Sequence, residues 1–102
     1  MEGSPLTESI KRELHLLERT IKILCLIEKE QPIGINKISS KMNLPEHKVR
    51  YSLRMLQKEN LIKPSPRGAK LTEKHDEFKG ELRNLLNNIN ETACSLDEEI
   101  AE

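Results

Sequence analysis

The segment that decides the fold runs from Leu44 to Ile62 and reads LPEHKVRYSLRMLQKENLI. Its apolar residues Val49, Leu53 and Leu56 recur at helical spacing, so these three side chains are predicted to point toward a core. The residues between them are largely basic and surround a single aromatic residue, Tyr51. The segment therefore predicts an amphipathic helix with a cationic outer face.

The composition favours one small domain with a thin core. The chain has 102 residues, of which 35% are hydrophobic and 33% are charged. The longest apolar run, residues 23–27, is far too short to cross a bilayer, and the N-terminus lacks the apolar core of a signal peptide. A cytoplasmic protein that has no membrane partner is expected.

The net charge of zero conceals a segregation along the chain. Residues 36–70 contain nine Lys and Arg against two Glu, which gives +7. Residues 1–35 carry −1, and residues 71–102 carry −6. Because the positive charge is confined to the middle third, the distribution indicates a nucleic-acid footprint on that segment.

The first helix is predicted to begin at Ser4 and Pro5, since serine caps the exposed amides and proline suits the first turn. An apolar stripe continues to about residue 30, and a break near Glu18 is the alternative. Because residues 21–27 are apolar nearly all round, Cys25 is expected to be a small buried residue. Residues 31–35 leave room for one short strand.

The middle of the chain predicts two helices and a tight turn. Asn36 is predicted to cap a second helix, and Asn43 is predicted to end it in the left-handed conformation. Pro45 lies in the first turn of the next helix, over 45–59. Asn60 is predicted to end that helix, again in the left-handed conformation.

A hairpin and a long helix follow. Two short strand-like pieces, 61–63 and 70–72, bracket the loop PSPRGA at 64–69. Thr72 is predicted to cap a final helix over 73–101, whose apolar residues continue at helical spacing. Asparagines at 84, 87, 88 and 90 weaken the helix, and Ser95 with Glu98 forms a capping-box pattern, so a break near 91–95 is the alternative.

This order of elements resembles the winged helix–turn–helix domain of small dimeric bacterial and archaeal transcription regulators. The resemblance covers about residues 18–75, and its motifs are ISSKMNLPEHKVRYSLRML, LRMLQKENLI and PRGAKLTEK. It implies a winged helix–turn–helix, and together with the stripes of the terminal helices it predicts a mainly α fold with a small β-hairpin and extended N- and C-terminal helices. The predicted domains are an N-terminal dimer helix at 1–17, the DNA-binding domain at 18–72 and a C-terminal dimerisation helix at 73–102.

A helical projection of 45–59 places the basic residues opposite the core. Arg54 and Tyr51 are predicted to contact bases or sugars in the major groove, and Arg67 on the wing is predicted to reach an adjacent minor groove or phosphate. The predicted DNA-binding residues are Lys37, Ser39, His47, Lys48, Arg50, Tyr51, Arg54, Lys58 and Arg67. Basic residues on a helix are often merely solvated, but their coincidence with the +7 segment favours nucleic acid.

The final helix predicts a homodimer. A continuous helix over 73–101 would be about 43 Å long, whereas a domain of this size has a radius of gyration of about 13 Å. Its apolar stripe therefore needs a cover, for which a second copy is the best candidate. The predicted interface residues are Ile10, Leu14, Leu17, Phe78, Leu82, Leu85, Leu86, Ile89 and Leu96. The alternative is a final helix that breaks and folds back.

An enzyme is not expected. The three histidines are scattered, the two cysteines are far apart, and no Gly-rich phosphate loop or nucleophile motif is present in the sequence. No cofactor, no metal and no identifiable effector is predicted. The function predicted is sequence-specific binding of double-stranded DNA by a homodimeric transcriptional regulator, with helix 45–59 in the major groove and wing 64–69 beside it. The rival is a winged helix that binds other proteins instead of DNA.

Overall fold

The computed structural model describes residues 3–101, which form four helices and one two-stranded antiparallel hairpin. The helices are α1 (Pro5–Glu30), α2 (Ile35–Met42), α3 (Glu46–Lys58) and α4 (His75–Ile100), and the strands are β1 (Ile62–Lys63) and β2 (Lys70–Leu71). The chain divides after Thr72 into two compact units, of which the second consists mainly of α4. This is the mainly α fold with a small hairpin that the sequence predicts.

Helix α1 begins and ends where local chemistry requires it. The Thr7 amide donates a hydrogen bond of 3.2 Å to the Ser4 hydroxyl, so Ser4 caps the helix as predicted. The helix continues through Glu18 without a break, and residues 17 and 18 lie on the same continuous helix. It ends at Gln31, whose backbone is extended, because the residue before a proline avoids the helical conformation.

The exposure of α1 differs from the prediction in one respect. Residues 21–27 are not buried all round: Ile23, Leu24 and Ile27 are buried, whereas Cys25 is exposed. Apolar character alone does not show that a helix is enclosed, because a domain with few elements covers only one side of it. The prediction that Cys25 is buried was therefore wrong.

Helix α2 and the turn after it form the connection to α3. Gly34 is the N-cap of α2, so the prediction that Asn36 caps this helix was wrong, and Asn36 lies in the first turn instead. Asn43 ends the helix with a φ of 54°, as predicted. The Leu44 amide donates to the Ser39 carbonyl at 3.1 Å, and the Ser39 hydroxyl donates back to the Leu44 carbonyl.

Helix α3 is one residue shorter at each end than the predicted 45–59. Pro45 is its N-cap and Glu59 its C-cap. Asn60 then takes a φ of 62°, as predicted, and the Leu61 amide donates to the Leu56 carbonyl at 3.0 Å. This left-handed residue turns the chain sharply into the hairpin.

The core of the first unit is aliphatic, and α3 contributes to it through Val49, Ser52 and Leu56. The prediction was correct for Val49 and Leu56. Leu53, however, is only half-buried, and Ser52 takes the buried position. The buried apolar residues are Ile23, Leu24, Ile27, Ile33, Ile38, Val49, Leu56, Leu61 and Ile62.

A small polar cluster connects α1 to α3 within this core. The hydroxyls of Thr20 and Ser52, both buried, share a hydrogen bond of 2.9 Å. The Arg19 Nε donates to the Ser52 hydroxyl at 3.2 Å. Because a buried hydroxyl is stable only when it is hydrogen-bonded, this cluster sets the rotation of α3 about its axis.

We expect Ser52→Ala to lower the free energy of unfolding by about 1–3 kcal/mol, since it leaves the Thr20 hydroxyl and the Arg19 Nε without this partner. Urea or thermal unfolding followed by circular dichroism measures the change. Ser40→Ala, at an exposed position on α2, is the control and should change stability by less than about 0.5 kcal/mol. Equal stability of the two variants would mean that the cluster contributes nothing.

The hairpin pairs Ile62 with Leu71 and Lys63 with Lys70. The short strand predicted at 31–35 is reduced to a single bridge, in which the Ala69 amide donates to the Ile33 carbonyl at 2.8 Å. That bridge fixes the base of the wing to the segment between α1 and α2.

Helix α4 begins later than predicted but does not break. Its N-cap is Lys74, so Thr72 does not cap it. The Thr72 hydroxyl instead donates to the Asn60 carbonyl at 2.6 Å. The helix is continuous from His75 to Ile100, so the alternative of a break near 91–95 is not observed.

Candidate nucleic-acid interface

The outer face of α3 carries a narrow polar stripe. At 100° per residue, His47, Tyr51, Arg54 and Lys58 lie within about 60° of one another, and all four are exposed. The stripe is directly opposite the buried residues of α3, and Tyr51 has 49% of its surface exposed although it is aromatic. The rotation of α3 therefore presents these four side chains to solvent together.

Two further bases flank this stripe. Lys48 is exposed on one side, and Arg50 is exposed on the other. The Arg50 guanidinium lies 3.7 Å from the Glu46 carboxylate, and both side chains are about half exposed. Such a pair is weak, so Arg50 can exchange this carboxylate for a phosphate at little cost.

A groove of about 730 Å³ separates α3 from the hairpin. Its walls come from the first turn of α2, one side of α3 and the wing, and they include Leu53, which explains why that residue is only half-buried. The charged residues that line it are Lys37, Arg50, Lys63 and Arg67. No acidic residue lines the groove within residues 3–101. Four cations, one each from α2, α3, β1 and the wing tip, thus surround one concave surface.

The tip of the wing is a tight turn that positions Arg67. The Gly68 amide donates to the Ser65 carbonyl at 3.1 Å, and the Ser65 amide donates to the Gly68 carbonyl at 2.9 Å. Pro66 restricts the backbone at the second position of this turn. The Arg67 side chain is exposed at the corner and is therefore held away from the core.

Lys63 is a groove residue that the sequence interpretation did not select. It contributes to the +7 of residues 36–70, but its place in a short strand gives no sign of a binding role. The signal that would have found it is alternation, because Ile62 is buried and the next side chain must point to the opposite face. Lys63 also faces Lys70 across the hairpin, and like charges directly opposite each other are destabilising unless an anion lies nearby.

The remaining predicted DNA-binding residues, Lys37 and Ser39, lie on α2. Lys37 is exposed in the first turn of α2, where the helix dipole also favours an anion. Ser39 is half-buried, and its hydroxyl already donates to the Leu44 carbonyl. Its local role is thus to close the turn.

Most of the bases on this surface have no acidic partner. Among the described residues, no ion pair is formed by Lys48, Arg54, Lys58 or Arg67, although the domain forms several ion pairs elsewhere. The surface is consequently positive and available to an anionic partner.

The predicted dimer residues are largely exposed. On α1, Ile10 and Leu14 are exposed and Leu17 is half-buried. On α4, Phe78 and Leu82 are half-buried, and the exposed residues are Leu85, Leu86, Ile89 and Leu96. Exposed large apolar side chains in a row are typical of an interaction surface.

Within residues 3–101, no three His, Cys, Asp or Glu side chains come close enough together to hold a metal ion. In the same part of the chain, no helix is both long and apolar enough to cross a membrane.

A tight turn between α2 and α3, followed by a hairpin with a basic tip, defines a winged helix–turn–helix DNA-binding domain. Residues 16–86, more than two thirds of the chain, match the family described as the CggR N-terminal DNA-binding domain. The chain belongs to this family and is a DNA-binding transcriptional regulator of the helix–turn–helix type. No match was found among curated proteins.

Proposed function

We propose that this regulator binds specific sequences in double-stranded DNA as a homodimer, with α3 in the major groove and the wing, residues 64–69, on the flanking backbone or minor groove. The observation that supports this proposal best is the groove between α3 and the wing. Side chains from α2, α3, β1 and the wing tip converge there, and those that carry charge are all basic.

Base reading is assigned to the centre of the stripe on α3. Arg54 is exposed and forms no ion pair within residues 3–101, and its planar guanidinium can donate two hydrogen bonds to a guanine edge. Tyr51, one turn earlier, offers a flat apolar ring and a hydroxyl for a base or sugar contact. His47 and Lys58 extend the same stripe toward the two ends of α3.

Phosphate contacts are assigned to the bases on either side. Lys37, Lys48, Arg50 and Lys63 surround the stripe, and a backbone contact requires charge more than a specific shape. Arg67 projects from the wing tip, where a phosphate or a narrow minor groove would stabilise it. Lys37 is at a helix N-terminus, which adds the attraction of the backbone amides.

The homodimer is supported by the exposed apolar residues of α1 and α4. A second copy is the partner expected to cover such residues, and a twofold arrangement would match two half-sites of a roughly palindromic sequence. The proposed division of labour is therefore an N-terminal dimer segment at 1–17, a DNA-binding domain at 18–72 and a dimerisation helix at 73–102.

Salt dependence tests DNA binding against the rival, which is an interface for another protein. Binding through several phosphates should weaken by a factor of about 10³ between about 50 and 200 mM salt, whereas an apolar interface should not.

We expect Lys63→Ala to weaken binding to all duplexes similarly, because a phosphate contact does not depend on the base sequence. The variant should also reduce the slope of log K against log salt by about one per half-site. Fluorescence anisotropy with specific and random duplexes measures both quantities.

Lys11→Ala is the matched control, because Lys11 lies on α1 and its charge is already paired with Glu8 at 3.8 Å. It should leave the slope unchanged. A slope equally insensitive to both substitutions would mean that Lys63 does not contact phosphate. No binding to any duplex at low salt would favour the protein-interaction rival.

A further inference from the structure

The exposed apolar residues of α4 follow a heptad pattern. Leu82, Ile89 and Leu96 recur every seven residues, and so do Leu86, Ala93 and Ile100. The two series alternate at steps of four and three, which is the spacing of the a and d positions in a coiled coil. Leu86, Ile89, Ala93, Leu96 and Ile100 are exposed, so this seam lacks a cover within residues 3–101.

The charges on α4 are distributed unevenly along its length. Residues 84–100 contain four acids, at 91, 97, 98 and 99, and no base. The N-terminal part, residues 75–83, contains both Lys79 and Arg83 together with three acids, at 76, 77 and 81. Neither Arg83 nor Asp97 forms an ion pair within the described chain.

A parallel pair of α4 helices would place identical residues side by side. Asp97 and Glu99, which flank the seam, would then lie at the same end of the pair in both chains with no base between them, which is unfavourable. The acids also lie at the negative end of the helix dipole, where the last turn contains no base to offset them.

An antiparallel pair avoids both problems. Leu82 would then pack against the partner's Ile100, Leu86 against the partner's Leu96 and Ile89 against the partner's Ala93, and symmetry repeats each layer. In that register Arg83 lies beside the partner's Asp97 on both sides of the twofold axis. The acidic end of each helix also lies beside the positive end of the other helix dipole.

We propose that a second copy of this chain covers the α4 seam as an antiparallel coiled coil, with Arg83 paired to the partner's Asp97. This inference rests on the homodimer of the proposed function and adds its register and orientation. The apolar seam supplies the affinity, and the charge pattern selects the orientation.

Disulfide trapping tests the orientation directly, in the full chain with Cys25 and Cys94 replaced by serine. Ile89→Cys and Ala93→Cys are prepared as separate proteins and oxidised alone and as a mixture. An antiparallel pair brings position 89 beside the partner's 93, so only the mixture should yield a crosslinked dimer. In a parallel pair each variant should crosslink by itself, and that result would overturn the proposal.

Charge exchange provides a second measurement that needs no cysteine. Arg83→Glu and Asp97→Arg should each weaken the dimer several-fold, and the double variant should recover most of the loss, because the pair is restored with opposite polarity. Sedimentation equilibrium measures the dissociation constant. Losses that simply add in the double variant would mean that the two residues do not meet.

The outcomes separate this inference from the function on which it rests. A chain that sediments only as a monomer would overturn the homodimer as well as the coiled coil. A dimer that crosslinks in the parallel pattern would overturn the orientation alone. Binding of duplex DNA by the same samples is measured independently and depends on residues of the first unit.

Discussion

Replacing Arg54 with glutamate is expected to abolish DNA binding while the unfolding temperature and the dimer mass stay unchanged. Arg54 lies at the centre of the exposed stripe on α3, opposite the core, and makes no ion pair within residues 3–101. The substitution removes the proposed contact to a base edge, for which a good bidentate pair contributes about 1–3 kcal/mol of discrimination. It also places a negative charge against the DNA phosphates, which adds repulsion.

A milder variant separates charge from shape. Arg54→Lys keeps the positive charge but loses the planar fork, so it should retain binding to random duplexes and lose preference for the specific sequence. Arg12→Glu, an equal charge reversal at an exposed position on α1, is the control and should bind nearly normally. Anisotropy titrations against specific and random duplexes distinguish the four proteins.

Arg50→Glu should also abolish binding and leave the fold intact, but it is the less clean test. Arg50 lies one turn from Glu46, so the variant places two acids at neighbouring positions of α3.

Unfolding of Arg54→Glu at the temperature of the assay would contradict the assignment, because it would show that Arg54 supports the structure. Full binding by a folded Arg54→Glu protein would contradict the recognition role of this face.

Replacing Gly68 with alanine is expected to cause a large loss in the free energy of unfolding. Gly68 has a φ of +130°, a conformation that side chains rarely adopt. A Cβ atom there would contact the backbone carbonyl group of Ile33 and lie 2.6 Å from the Gly34 amide nitrogen. Strained backbone alone costs about 1–3 kcal/mol, and these backbone atoms cannot move without breaking the bridge between Ile33 and Ala69.

We therefore expect Gly68→Ala to lose roughly 3 kcal/mol or more of unfolding free energy, a large fraction of the stability of a small domain. Gly80→Ala is the matched control, since its Cβ would meet nothing within 4 Å in the interior of α4. That change should stabilise the protein by up to about 1 kcal/mol, because alanine favours a helix. Urea unfolding of the two variants gives the comparison, and equal stability would show that the wing is not held against Ile33.

At temperatures where the Gly68→Ala protein is still folded, its affinity for DNA should also be lower. Lys63 on β1 and Arg67 on the wing belong to one hairpin, which is fixed to the rest of the domain through residues 33 and 69. A displaced wing would remove those two charges from the groove beside α3. Unchanged affinity in a folded Gly68→Ala protein would mean that the wing makes little contact with DNA.

The elements were predictable where a local physical cause determines them. Ser4 begins α1, and Asn43 and Asn60 end α2 and α3 in the left-handed conformation, because each of these effects acts within one turn of the chain. The wing loop was predictable from its prolines and Gly68 for the same reason. Local signals failed at Asn36 and Thr72, which are capping residues by type but lie outside the positions where α2 and α4 begin.

The sequence by itself determined the amphipathic helices, their order, the two left-handed stops, the hairpin and the concentration of positive charge between residues 36 and 70. Only the tertiary structure decided that Ser52 is buried while Leu53 faces the groove, and that Lys63 joins Lys37 and Arg50 on one surface. The reason is physical: periodicity defines which residues share a face, but contacts between distant segments decide which face is covered. The hydrogen bond between Thr20 and Ser52, which are 32 residues apart, is one such contact.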